Sequence, residues 1–132
     1  MTLTEIFSIS PFDWHAVFTS ILCGSIIGLE RQLRGKPVGI RTSALITLGT
    51  YVFIAASISV STPLTTDPSR IIGQVITGIG FLGAGVMLAR DGMVMGVTSA
   101  ATIWTLASVG VVIAIGHNVT AIKISIVVVL VL

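Results

Sequence analysis

The sequence predicts an all-α membrane protein, a bundle of helices that crosses a lipid bilayer about five times. Four stretches of the 132-residue chain contain no Asp, Glu, Lys or Arg: residues 14–29, 42–66, 71–89 and 92–122. A helix needs about 20 residues to cross a hydrocarbon layer of roughly 30 Å. The composition agrees, because 54% hydrophobic residues, 9% charged residues and a mean hydropathy of +1.08 leave a soluble domain too little polar surface.

Glycine and proline residues divide the apolar sequence into five predicted helices, which together form a single transmembrane domain over residues 1–132. The predicted helices cover residues 14–31, 42–60, 68–89, 97–115 and 119–132. The last helix is short for a crossing and is still apolar at Leu132, which favours a chain trimmed from a longer protein. One small helical domain leaves no room for a separate catalytic domain.

The distribution of basic residues predicts the orientation of the bundle. Four of the seven Lys and Arg residues lie between the first two predicted helices, within residues 30–41. Loops rich in Lys and Arg remain preferentially in the cytoplasm. The N-terminus then faces outward, loop 61–68 lies outside, loop 90–96 lies inside, and the C-terminus is cytoplasmic. The basic pI comes mostly from this one loop and is explained by the orientation of the chain in the lipid bilayer. We therefore expect no nucleic-acid partner.

Small residues at helical spacing predict the surfaces on which these helices pack. In lipid, helices associate through close backbone approach, for which small residues at every fourth position are the usual means. Ser20, Gly24 and Gly28 form such a ladder on the first helix. We expect the glycines of the third helix to mark the centre of the bundle. They are Gly73, Gly78, Gly80, Gly83 and Gly85.

The two predicted cytoplasmic hairpins show a weak internal repeat. Gly28, Gly35 and Gly39 match Gly85, Gly92 and Gly96 at one constant offset. A true duplication would relate the hairpins by a pseudo-two-fold axis along the membrane normal, as in transporters with parallel repeats. Chance matching is the alternative, since glycine is frequent in membrane helices.

Polar residues at the ends of the predicted helices are candidates for function. Asp67 and Pro68 are typical of a helix start, while Arg70, one turn further, needs a carboxylate, a phosphate or a lipid headgroup as partner. Glu30 closes the first helix, and we expect it to pair with Arg34 or with Arg41. The spacing leaves open whether that pair clamps the hairpin, binds a partner or senses an ion.

Sequence motifs typical of enzymes are absent. There is no HExxH motif, and the GIGFLG segment at 78–83 matches a dinucleotide fingerprint only inside an apolar helix, without the preceding strand that such a site needs. We therefore predict no catalytic site and no bound cofactor. Glu30, Asp67 and Asp91 are weak candidates for Mg²⁺ ligands, because Mg²⁺ needs only one or two carboxylates.

Five segments form an ordered set between residues 23 and 116. They are GLERQ at 28–32, GIRT at 39–42, DPSR at 67–70 followed by Gln74, GIGFLGAG at 78–85, and TSAATIW at 98–104. Together they resemble the MgtC/SapB family of bacterial inner-membrane proteins. Ser99 departs from the pattern, which more often has Thr there. The resemblance implies five transmembrane helices, an outward N-terminus and a set of functional residues: Glu30, Arg31, Arg41, Asp67, Arg70 and Gln74.

The same resemblance implies a function. Members of the family are tied to growth under magnesium limitation and, in intracellular pathogens, to survival in macrophages and virulence. The F-type ATP synthase is a proposed partner for some, and longer members carry a soluble C-terminal domain. We therefore expect a non-enzymatic regulatory protein that forms homo-oligomers and contacts a membrane partner. The alternative is a transporter of divalent cations such as Mg²⁺, or of another solute.

Overall fold

The computed structural model describes residues 1–64 and 67–132 and consists mainly of helices. These are α1 (Leu3–Phe7), α2 (Trp14–Leu33), α3 (Ile40–Val60), α4 (Pro68–Gly85), α5 (Val97–Ala114) and α6 (Asn118–Val131). Two short antiparallel strands, β1 (Leu88–Arg90) and β2 (Met93–Met95), form a hairpin between α4 and α5. The predicted helical bundle is confirmed. Part of the predicted outer loop, residues 65 and 66, lies outside the described residues.

Three helices of the described chain, α2, α3 and α5, are long and apolar enough to cross a membrane. The apolar helix α6 is shorter, with 14 residues. Helix α4 is not among these three, because Arg70, Gln74 and five glycines interrupt its hydrophobic sequence. The three long apolar helices make the chain a helical membrane protein. The count of five crossings stays a prediction.

The core lies where α2, α3 and α5 pack together, with α6 against α2 and α5. Its largest fully buried side chains include Ile27, Ile54, Leu106 and Ile113. Several buried hydroxyl groups are satisfied within their own helices. Thr47, Thr102 and Ser125, for example, each donate to the carbonyl oxygen four residues earlier, at 2.8–3.1 Å. Such bonds allow polar side chains at an apolar interface without loss of hydrogen bonding.

Glycines bring the backbones of the core helices close together. A Cβ atom on Gly24 would lie 2.6 Å from Ala44 Cα, and one on Gly28 would lie 2.7 Å from Ile40 Cα. At the contact of α3 and α5, a Cβ on Gly110 would lie 2.7 Å from the carbonyl oxygen of Thr47. The α2 glycines thus lie where a ladder of small residues predicts helix packing.

Helix α4 lies at the periphery of the bundle, so the prediction that its glycines mark the centre is wrong within the single chain. A Cβ on Gly73, Gly78, Gly80 or Gly85 would meet no atom of another described element within 4 Å. Gly83 alone lies against a neighbour, with its Cβ position 3.6 Å from the carbonyl oxygen of Ala100 on α5. The partly buried Val75 and Ile79 share a face with Gly83, and burial of these larger residues turns the other glycines outward.

The segment after α4 also differs from its prediction. The sequence predicts a helix to residue 89, but α4 ends at Gly85 and the β-hairpin follows. Asp91 and Gly92 form the turn, with φ angles of 51° and 77°. Asp-Gly between apolar residues is a strong signal for a two-residue hairpin turn. The other four predicted helices agree with the structure to within two residues at each end.

The internal repeat of the two hairpins stays a prediction. Gly35 and Gly92 both have positive φ, 64° and 77°, in the turns that follow α2 and α4. Their neighbours differ, because Gly28 packs closely on α3 whereas Gly85 faces open space. The basic end of the bundle holds the turn 34–39 and the β-hairpin, and the far end holds the start of α2 and the turn 115–117.

Candidate functional site

Glu30 and Arg34 form an ion pair at the basic end. Arg34 Nε lies 2.6 Å from Glu30 Oε1, and the Glu30 side chain is only 10% exposed. The contact is ionic, since the carboxylate oxygens accept no well-aligned hydrogen bond from the described residues. The structure therefore shows the first of the two pairings that the sequence allows. Arg41 is exposed at the start of α3 and forms no ion pair with Glu30.

Arg31 is buried where α2 meets α5, and its side chain is 4% exposed. Its Nη2 donates a hydrogen bond of 2.7 Å to Ser99 Oγ, and its Nε donates one of 3.5 Å to the carbonyl oxygen of Pro37. The guanidinium therefore connects α2, the turn after it and the first turn of α5. Sequence reasoning missed Ser99 as its partner, because the two residues lie 68 positions apart.

The other polar candidates lie at the start of α4. Asp67 caps the helix by accepting a hydrogen bond of 2.9 Å from the Ser69 backbone N–H. The Ser69 side chain and then the Ser69 backbone amide hold the pKa of this carboxyl below its usual range. Arg70 and Gln74 are exposed. The six predicted residues therefore fall into two groups on different parts of the bundle.

No group of three or more His, Cys, Asp or Glu side chains in the described chain could hold a metal ion. Glu30, Asp67 and Asp91 thus do not combine into one site. Asp91 lies in the hairpin turn and is exposed, and Asp67 serves as the cap of α4.

An apolar groove of about 510 Å³ separates α3 from α4. It is lined by Leu45, Ile46, Gly49, Thr50, Phe53, Gln74, Val75, Gly78, Ile79 and Leu82. Beside it lies the small-residue face of α4, which we define as Gly73, Thr77, Gly80 and Ala84. All four residues are exposed, and Phe81 next to them is 81% exposed. The outer side of α4 therefore offers both close backbone approach and large apolar side chains.

Comparison with known proteins identifies the family. The model of the MgtC family matches residues 17–132, most of the chain. The chain belongs to the MgtC family. The resemblance that the sequence motifs indicate is confirmed.

Several curated proteins are similar to the chain. It is 44% identical over 102 residues to Protein MgtC of Salmonella typhimurium strain 14028s, covering 76% of the chain and 42% of that protein. It is 42% identical over 113 residues to the Escherichia coli K12 protein named "Putative magnesium transporter YhiD", covering 81% and 52%. The chain spans about half the length of these relatives. No solved structure matches it.

Proposed function

We propose that this MgtC-family chain is a non-enzymatic regulator of the bacterial inner membrane that binds another membrane protein through the small-residue face of α4. The supporting observation is the open space next to Gly73 and Gly80, where no described atom beyond the surrounding backbone of α4 lies within 4 Å of a Cβ position. Burial of apolar area contributes little to helix association in lipid, whereas close backbone approach contributes much. This face leaves such an approach open to a partner.

The cellular role in this proposal is adaptation to low magnesium and, in pathogens, survival in macrophages and virulence. Family membership and the similarity to Protein MgtC of Salmonella support it. The F-type ATP synthase is the partner to test first, and self-association through the same face is the second. The proposed orientation has the basic end in the cytoplasm and the N-terminus outside, because Arg34, Lys36 and Arg90 gather at one end.

Co-purification from native membranes tests the partner contact. Gly80→Leu adds a branched side chain to the small-residue face, so we expect the yield of the co-purified partner to fall about tenfold, a loss of roughly 1.4 kcal/mol. Ser108→Leu is the matched control, because Ser108 is exposed on α5 and belongs to a different helix. Both variants should unfold like the parent. Equal partner yields from Gly80→Leu and the parent would contradict the proposal.

The printed name of the Escherichia coli relative favours a second candidate, transport of Mg²⁺. It is tested by Mg²⁺ flux into liposomes that contain the purified protein. Flux that Glu30→Gln or Arg70→Ala abolishes would support transport and count against a purely regulatory role. Flux no higher than in empty liposomes, together with partner binding that Gly80→Leu removes, would support regulation.

A further inference from the structure

A cavity of about 640 Å³ opens at the basic end of the bundle. It lies between the end of α2, the turn that follows, the β-hairpin and the first turn of α5, and Val86 and Leu132 also line it. Four of its lining residues are cationic: Arg31, Arg34, Lys36 and Arg90. None of the described residues that line it is Asp or Glu. Positive charge gathered on a concave surface raises the local concentration of anions.

Arg31 is the buried cation of this cavity and forms no ion pair within the described chain. A guanidinium carries five N–H donors. Arg31 uses Nε and Nη2 in its bonds to Pro37 and Ser99, and both acceptors are neutral. No described carboxylate forms an ion pair with it. A buried charge without an opposite charge is unfavourable, so the site favours a bound anion.

The first turn of α5 adds further donors to the same cavity. Gly96, the N-cap of α5, has no side chain to cap the helix, and no side-chain cap is present. Val97, Thr98 and Ser99, which follow it, line the cavity. The first backbone N–H groups of a helix lack partners within the helix, and together with the helix dipole they favour an anion.

We propose that this basic cavity binds a phosphate group. Phosphate oxygens match both the planar donors of arginine and the amides of a helix start. Glu30 pairs with Arg34, whereas Arg31, Lys36 and Arg90 form no ion pair with any residue that the structure describes. The inference goes beyond the contact proposed for α4 and does not depend on it.

The phosphate has two sources that share this chemistry. One is the headgroup of an anionic phospholipid, since basic pockets between membrane helices bind such headgroups at the cytoplasmic surface. The other is a soluble phosphate compound in the cytosol. The purified chain is therefore tested in delipidated detergent solution with inorganic phosphate, and in nanodiscs that contain phosphatidylglycerol or phosphatidylcholine.

Two matched pairs of variants test the residues. Arg31→Met removes the buried guanidinium, and Arg41→Met removes a charge from the same end but outside the cavity lining. Arg90→Gln and Arg41→Gln form the second pair at two exposed arginines, so the test does not depend on how Arg31→Met folds. We expect Arg31→Met to weaken binding of the phosphate-bearing probe at least about tenfold. Arg90→Gln should weaken it measurably, and both Arg41 variants should bind like the parent.

The results also distinguish the sources. Saturable binding of inorganic phosphate in detergent identifies a soluble phosphate ligand, whereas preference for phosphatidylglycerol alone identifies a lipid headgroup. The proposal is overturned if neither probe binds, or if the Arg41 variants weaken binding as much as Arg31→Met and Arg90→Gln do. Loss of α4-dependent partner capture leaves these measurements unchanged, so the two proposals fail separately.

Discussion

Gly24→Leu is expected to separate α2 from α3 and to lower the free energy of unfolding by roughly 3 kcal/mol or more, the upper range for overpacking. The first added carbon would lie 2.6 Å from Ala44 Cα and 2.7 Å from the Ser43 carbonyl oxygen. Both contacts are to backbone, so no side chain can rotate away, and the helices must move apart. Unfolding in mixtures of mild detergent and dodecyl sulfate measures the loss.

The same substitution at Gly80 is the matched control. Gly80 also lies within a helix, but among the described residues a Cβ there would meet no atom of another helix within 4 Å. We expect Gly80→Leu to be at least as stable as the parent, because no neighbouring helix obstructs the side chain and leucine has the higher helix propensity. If Gly24→Leu is as stable as Gly80→Leu, the close packing of α2 on α3 is refuted.

Gly96→Ala has the second large expected effect, because two costs coincide at this residue. Gly96 has φ +86°, where residues other than glycine lose roughly 1–2 kcal/mol. Its Cβ would also collide with the carbonyl oxygen of Val86 at the end of α4. We expect faster hydrogen exchange in the β-hairpin and in the first turn of α5, together with a total loss of about 2 kcal/mol or more.

Gly92→Ala separates these two costs. Gly92 has a similar φ of +77° in the hairpin turn, but a Cβ there meets no atom within 4 Å. This variant should lose only the stability that the positive φ costs a residue other than glycine. Hydrogen exchange in α5 should stay unchanged. Equal losses from the two variants would mean that the contact of Gly96 with Val86 contributes nothing.

The bundle could be predicted from the sequence because its main signals are local. Charge-free stretches of 16 to 31 residues and the glycine and proline residues between them locate four of the helices to within two residues. Asp67 and Pro68 mark the start of α4, where the carboxylate does cap the helix. The end of α4 was missed because the apolar residues 86–89 continue a helical pattern, although Asp91 and Gly92 carried a usable hairpin signal.

The candidate sites depend on contacts that local patterns do not encode. The spacing of Glu30 and Arg34 on one helix predicts their ion pair. The bond from Arg31 to Ser99 joins distant segments and is set by how α2 packs on α5. The glycines of α4 indicate close packing, but they do not show which face of the helix contacts the bundle. In the structure that face is the one with Val75, Ile79 and Gly83.

The claim that the bundle crosses the membrane with its basic end in the cytoplasm is tested most directly by cysteine labelling. Lys36→Cys at the basic end and His117→Cys at the far end are made in a Cys23→Ser background, because Cys23 is the only cysteine. In intact spheroplasts, a membrane-impermeant maleimide should label His117→Cys and should reach Lys36→Cys only after the cells are opened. Labelling of Lys36→Cys in intact spheroplasts would contradict the account.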